Sequence, residues 1–428
     1  MHLSLGRSDW IKVLDKSILR KVLWGFLVIF SANSYSQLPD DKTEQTISDY
    51  LTAIDALEAD QGAYSAELSD LFMGLGNAYV SKKEYNDANL VFQRGMQIQR
   101  INFGLNSLSQ TAYLLSIAET EKYLGDLDQA QKALDQIYSL SAKNYGRSNA
   151  RMLPVIESLM DWHEELYPLR KPKEGLSTLI SLEGLANEMF NVLEVNKSLA
   201  ESSTPERYKR IGKAQFLIAN HIKHYGELQT TKFSVATESS SSTRTEPRTS
   251  YKHFRRGRAA LQKVVASLMQ QQPLNIYDQA DAIANLGDWY LIFGQITSAT
   301  KTYKIAEETM ATTERPDELR LQTFESAQLI DFSDGIDQRF MLKTAPASEL
   351  VGTIDVSMEI SQSGLASDFK VVDENTTLTK SDMKVLQKYF RKMRFRPFFS
   401  NGKTQIMRVN KRYDLPLSLI HISEPTRR

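Results

Sequence analysis

Two stretches of the chain share one spacing of apolar, glycine and alanine residues. The first is FMGLGNAYVSKKEYNDANLVFQRG (72–95), and the second is IANLGDWYLIFGQITSATKTYKIA (283–306). Each has a bulky apolar residue, then leucine three positions on, glycine at four, tyrosine at seven, alanine at 16 and an aromatic residue at 20. The repeat positions are Phe72, Leu75, Gly76, Tyr79, Ala88 and Phe92 in the first stretch, and Leu286, Gly287, Tyr290, Gly294, Ala299, Tyr303 and Ala306 in the second.

This spacing predicts two antiparallel helices in each stretch. Offsets of 0, 3 and 7 place apolar residues on one face of a helix, and a glycine at offset 4 leaves space there for a second helix. In the second stretch, Gly294 stands where the first helix is expected to end, a position that favours glycine. A weaker third copy runs from Leu114 to Leu134.

The copies resemble the tetratricopeptide repeat, in which helix pairs stack side by side. Ala88 and Ala130 are 42 residues apart, as are Gly104 and Gly146, and this period resembles the longer repeats of kinesin light chains. Helix pairs of this kind bury a continuous core only by stacking on their neighbours. The resemblance therefore implies a mostly α-helical solenoid over residues 37–325, interrupted by a flexible serine-rich loop at about 235–250.

The concave wall of such a solenoid is lined by the first helix of each pair and binds segments of other proteins. The candidate partner-binding residues on these helices are Met73, Asn77, Leu115, Glu119, Lys122, Ala284 and Asp288. The set lacks the regular lysines and arginines that would bind a C-terminal carboxylate.

The N-terminus predicts export from the cytoplasm. A basic segment precedes nine apolar residues (22–30), and small residues follow up to Ser36. Residues 1–36 therefore form a predicted signal peptide, cleaved after Ser36 or after Ser34. Nine apolar residues are fewer than the ~20 that a transmembrane helix needs. The expected location is the periplasm, with an uncleaved inner-membrane anchor or a buried helix as the alternatives.

The C-terminal part changes from helical periodicity to alternation. Residues 352–360 and 366–372 read as strands around a Ser363-Gly364 turn, residues 379–393 as an amphipathic helix, and residues 404–413 as a closing strand. With the Phe395-Arg396-Pro397 triplet and the Asn401-Gly402 turn, this order resembles the C-terminal domain of TonB-type energy transducers. The resemblance implies a small α+β domain of order β-β-α-β at 351–417, after a linker at 326–350. In that family the domain docks on outer-membrane receptors by strand addition.

Charge and composition exclude several functions. The chain carries 52 basic and 52 acidic residues and no cysteine, which argues against a general nucleic-acid binder and against disulfides or thiol chemistry. The basic helix of the terminal domain is interpreted as a solvated face, with an anionic envelope ligand as the alternative. Residues 418–428 resemble a translated sequencing-adapter tail, or form a real disordered tail.

Nothing in the sequence predicts catalysis, a cofactor or a metal. No phosphate loop, nucleophile elbow or metalloprotease motif is present. His221 and His224 are interpreted as a surface pair, with weak metal binding as the alternative. The sequence thus predicts an exported interaction scaffold that is not an enzyme and that binds another envelope protein or peptide. The alternative is an energy-transducer-like protein that keeps its N-terminal anchor and contacts outer-membrane transporters.

Overall fold

The computed structural model describes residues 40–197, 203–226, 248–325, 327–334, 353–372, 384, 387 and 390–414. The expected signal peptide, residues 235–247 of the serine-rich loop, residues 335–350 of the linker and the 418–428 tail lie outside these ranges. The helices are α1 Asp40–Gln61, α2 Leu68–Ser81, α3 Tyr85–Phe103, α4 Thr111–Leu124, α5 Leu127–Tyr145, α6 Leu153–Leu166, α7 Pro172–Val195, α8 Thr204–Tyr225, α9 Arg248–Gln270, α10 Ile276–Ile292, α11 Ile296–Met310 and α12 Pro316–Phe324.

In two pairs of consecutive helices, an aromatic ring of the second helix lies over a glycine of the first. Phe92 of α3 lies over Gly76 of α2, and Tyr303 of α11 lies over Gly287 of α10. A Cβ atom added to Gly287 would stand 2.5 Å from the Tyr303 ring, so no other residue fits without displacement. The repeat spacing thus has a steric cause, because the ring fills the space that the missing side chain leaves.

A glycine also follows the last residue of α3 and of α5, each the second helix of its pair. Gly104 follows α3 with a φ of +92°, and Gly146 follows α5 with a φ of +85°. Side chains avoid this left-handed region, so glycine is the residue that turns the chain toward the next pair here. The 42-residue period therefore repeats a turn as well as a helix pair.

The chain divides into two compact units, Met1–Leu159 and Met160–Arg428. The first holds α1 to α5 in the described residues, with a core around Ile54, Leu68, Phe72 and Ile98. The second holds α7 to α12 and the terminal strands. The predicted fold class is confirmed: helical repeats of tetratricopeptide type precede a small antiparallel sheet region. None of the described helices is both long and apolar enough to cross a membrane.

The terminal strands are β1 Thr353–Ile360, β2 Ala366–Val371, β3 Phe398–Ser400, β4 Lys403–Gln405 and β5 Met407–Asp414. One antiparallel sheet has the order β2-β1-β5, and β3 pairs with β4 in a hairpin. Residues 384, 387 and 390–392 are helical, and Phe390 packs against this sheet with Val356, Met358 and Tyr413. The expected closing strand 404–413 is divided at Ile406 between the two sheets.

Part of the expected linker is paired instead of free. Leu329 forms an antiparallel bridge with Phe395. The Ile330 amide donates to the Arg394 carbonyl at 2.8 Å, and the Arg396 amide donates to the Gln328 carbonyl at 2.8 Å. Residues 327–334 therefore belong to the packed structure, which corrects the linker prediction for this segment. Backbone hydrogen bonds of a strand-like pair hold this segment against residues 394–396.

Candidate protein-binding surface

Five of the predicted partner-binding residues lie on two first helices of the N-terminal unit. Met73 and Asn77 are four residues apart on α2, and Leu115, Glu119 and Lys122 follow one face of α4. We call this set the α2–α4 face. The Ser116 hydroxyl of α4 donates to the Met73 sulfur at 3.8 Å, so the two helices contact each other along it.

The α2–α4 face combines accessible polar groups with half-buried ones. Asn77 and Lys122 are exposed, whereas Met73, Leu115 and Glu119 are half-buried. Burial raises the pKa of the Glu119 carboxyl, and the charge of Lys122 opposes this rise only in part. A half-desolvated carboxylate is better stabilised by a further cation or hydrogen-bond donor. The face can therefore accept a partner that brings such a group to Glu119.

Two tyrosines that the sequence analysis missed lie beside this face. The rings of Tyr85, at the start of α3, and Tyr123, four residues after Glu119, stack with centroids 4.7 Å apart. Tyr123 is 55% exposed. Exposed aromatic side chains are enriched at protein interfaces. The sequence did not indicate this stack, because Tyr85 and Tyr123 belong to different repeats.

The other two predicted residues do not line an open surface. Ala284 is fully buried, and Asp288 is 4% exposed, both on α10. Ala284 belongs to the same core as Phe399 of the terminal hairpin. The expectation that these residues face an open groove is therefore corrected, since both are buried and Asp288 is in contact with Arg396 of the terminal part.

The contact between the terminal part and α10 is centred on Arg396. Its guanidinium is 2% exposed and donates to both carboxylate oxygens of Asp288, from Nε at 3.0 Å and from Nη2 at 2.6 Å. It also donates to Asn285 Oδ1 at 2.8 Å and to the Thr323 carbonyl at 3.3 Å. Burial opposes the guanidinium charge, but Asp288 outweighs that effect and raises the pKa of Arg396. The arginine of the Phe-Arg-Pro triplet is therefore the centre of an internal contact, not an accessible docking residue.

The segment 327–334 covers more of the same unit. The Phe332 ring lies 5.8 Å from Phe216 of α8 and 5.3 Å from Trp289 of α10. Asp334 Oδ2 is 2.9 Å from Lys213 Nζ of α8. The segment 327–334 therefore packs against both α8 and α10.

The histidine pair differs from its expected position. His221 is 1% exposed, and its Nδ1 lies 3.0 Å from the hydroxyl of Tyr167, so it is not a surface residue. Only His224 is partly accessible. Over the described ranges, no group of three His, Cys, Asp or Glu side chains is placed to hold a metal ion.

No family model and no curated protein matches this sequence. Among solved structures, BtubC (BKLC) from P. vanneervenii is 12% identical, with a TM-score of 0.30, covering 63% of this chain and 91% of its own. A putative kinesin light chain of Podosopora anserina with nearly identical TPR-like repeats is 15% identical, with a TM-score of 0.32, covering 58% and 98%. At these scores the likeness carries no argument about function. The resemblance of residues 351–417 to TonB-type domains stays a prediction.

Proposed function

We propose that the protein is a non-enzymatic scaffold that binds a segment of another protein across the α2–α4 face. The observation that carries this proposal is the contrast between two equivalent surfaces. On α10, the first-helix positions Ala284 and Asp288 are buried, and Arg396 of the terminal part contacts Asp288. On α2 and α4, the corresponding positions are exposed or half-buried. Surfaces of helical repeats that remain open are the ones available to ligands.

The chemistry of the face suits an extended or helical segment. Leu115 and Met73 offer apolar contact, and methionine adapts its shape to different partners. Asn77 can pair with polar backbone groups of an extended segment. Glu119 and Lys122 favour a partner with a basic group next to an acidic one, since opposite charges across an interface fix its register.

Charge reversal tests this proposal. Wild type, Glu119→Lys and Lys122→Glu are immobilised and exposed to an envelope extract, and retained proteins are identified by mass spectrometry. We expect a partner that wild type retains and that both variants lose. Lys132→Glu is the matched control, because Lys132 is exposed on α5, outside the face. Identical retention by all four proteins, with unchanged circular dichroism, would remove this face as the binding site.

The location of this activity is proposed from the sequence. The apolar segment 22–30 followed by small residues supports export to the periplasm, where the partner would be an envelope protein. Mass spectrometry of the mature N-terminus tests this point. A start at Gln37 or Tyr35 supports a cleaved signal. Intact membrane-bound protein would instead support the energy-transducer-like alternative.

A further inference from the structure

The outer face of α9 combines an exposed tyrosine with positive charge. Between its ends at Arg248 and Gln270, this helix contains lysines and arginines but no aspartate or glutamate. Tyr251, Arg255 and Arg258 are spaced by four and three residues and therefore share one face. Tyr251 is 63% exposed, Arg255 is exposed and Arg258 is half-buried. We call these three residues the α9 stripe.

A cluster of aromatic rings supports the α9 stripe. The Phe254 ring lies 6.1 Å from the Tyr251 ring and 5.3 Å from the ring of Phe293, the residue directly after α10. The guanidinium carbon of Arg258 is 5.5 Å from the centroid of Phe254. A guanidinium over an aromatic face at this distance is attracted to the ring. Because Phe254 is 7% exposed, it forms a buried support that both Tyr251 and Arg258 contact.

The cations of α9 differ in whether a carboxylate compensates them. Lys252 and Arg256 both contact the Glu183 carboxylate of α7, with Lys252 Nζ 2.9 Å from Oε1. Over the part of the chain that the structure describes, no carboxylate lies within ion-pair distance of Arg255 or Arg258. Arg258 Nε also has no hydrogen-bond acceptor. The α9 stripe therefore has two guanidinium groups that are not paired with an acid.

These groups suit the side chains of an acidic peptide segment. Arginine binds carboxylates through two parallel hydrogen bonds, and two arginines one helical turn apart can bind two neighbouring acids. Tyrosine and arginine are the residue types that are enriched at the centres of protein interfaces. A nucleic acid is less suited to this surface, because its backbone needs a longer basic track and Glu183 already pairs with the adjacent cations.

We propose that the α9 stripe binds an acidic segment of a partner protein. Its Asp or Glu carboxylates would contact Arg255 and Arg258, and an apolar side chain of the segment would pack against Tyr251. The stripe belongs to the second compact unit and shares no residue with the α2–α4 face. This inference therefore does not depend on the scaffold function proposed for that face.

The test is a fluorescence anisotropy titration of the full chain with a labelled peptide of glutamate, leucine and glycine. We expect wild type to bind it, and Arg255→Gln and Arg258→Gln each to weaken binding about tenfold, the loss of roughly one charge-assisted hydrogen bond. Arg255 is exposed, so Arg255→Gln keeps the fold and the test does not rest on Arg258 alone. Arg256→Gln is the matched control, because this arginine already contacts Glu183 and should leave binding unchanged.

Two further probes identify the class of partner. A peptide with glutamine in place of glutamate should bind about tenfold more weakly, and a single-stranded oligonucleotide should not displace the glutamate peptide. The proposal is overturned if wild type does not bind the glutamate peptide, or if Arg256→Gln weakens binding as much as Arg255→Gln. Displacement by the oligonucleotide would also overturn it, since the stripe would then be a nucleic-acid site.

Discussion

Arg396→Met tests how the terminal strands are held on the helical repeats. Methionine keeps most of the apolar stem but removes every donor of the guanidinium. Asp288 would lose all of its hydrogen bonds from Arg396 and keep the hydroxyl of Tyr303, which donates to Asp288 Oδ1 at 2.7 Å. Asn285 and the Thr323 carbonyl would lose a donor as well.

The expected cost follows from the burial of both partners. With Arg396 2% and Asp288 4% exposed, water cannot replace the missing guanidinium at the carboxylate. Removing one partner of a buried ion pair destabilises by about 3–5 kcal/mol. At about 2–4 °C per kcal/mol for a unit of this size, the melting temperature of the C-terminal unit should fall by about 6–20 °C.

A double-mutant cycle separates the ion pair from the general loss of packing. Arg396→Met, Asp288→Asn and the double variant are unfolded in urea, and their free energies of unfolding are compared with wild type. We expect Asp288→Asn to recover much of the stability lost in Arg396→Met, because it removes the unpaired charge. A loss below about 1 kcal/mol in Arg396→Met, the range of an exposed pair, would refute the reasoning.

Three further predictions concern single positions. Gly287→Ala should lower the melting temperature, because overpacking against Tyr303 costs about 1–3 kcal/mol, whereas Gly184→Ala, with open space around it, should leave the temperature unchanged or raise it. His224 should titrate near pH 4 by NMR; since the unfolded chain then binds more protons between about pH 4 and 6.5, stability to urea should fall as pH falls through that window. A normal midpoint near 6.5 would contradict the burial of this ring. Glu119→Gln should be neutral or stabilising at pH 7, because burial raises the pKa of this carboxyl and so disfavours its charged form; a marked loss of stability would show that the carboxylate has an internal role.

The repeats were predictable because their cause is local. The contact of Phe92 with Gly76 joins residues 16 positions apart, and a period of 3.6 residues leaves its pattern in the sequence. The same holds for β1, where alternation predicts a strand at 352–360 and the structure has one at Thr353–Ile360. The Asn401-Gly402 turn joins β3 to β4, as its left-handed φ values require.

The cover on α10 was not predictable in this way. Arg396 and Asp288 are 108 residues apart, and each alone has the features of a surface residue. The repeat alignment places Asp288 on an inner face but does not indicate what lies above it. His221 was misplaced for a similar reason, since its partner Tyr167 comes from a different helix pair. Local periodicity predicts which elements form, whereas the closure of one surface by a distant segment depends on tertiary packing.

The ion pair between Arg396 and Asp288 also constrains how the sequence can diverge. Either residue alone is costly, since a single replacement leaves a charge enclosed without its counterpart. Two apolar residues of similar volume at these positions would be tolerated, but the path to them passes through a destabilised intermediate. Descendants of this chain should therefore keep both charges or lose both together. Asp288 and Arg396 should therefore covary among related sequences, although more than a hundred residues separate them.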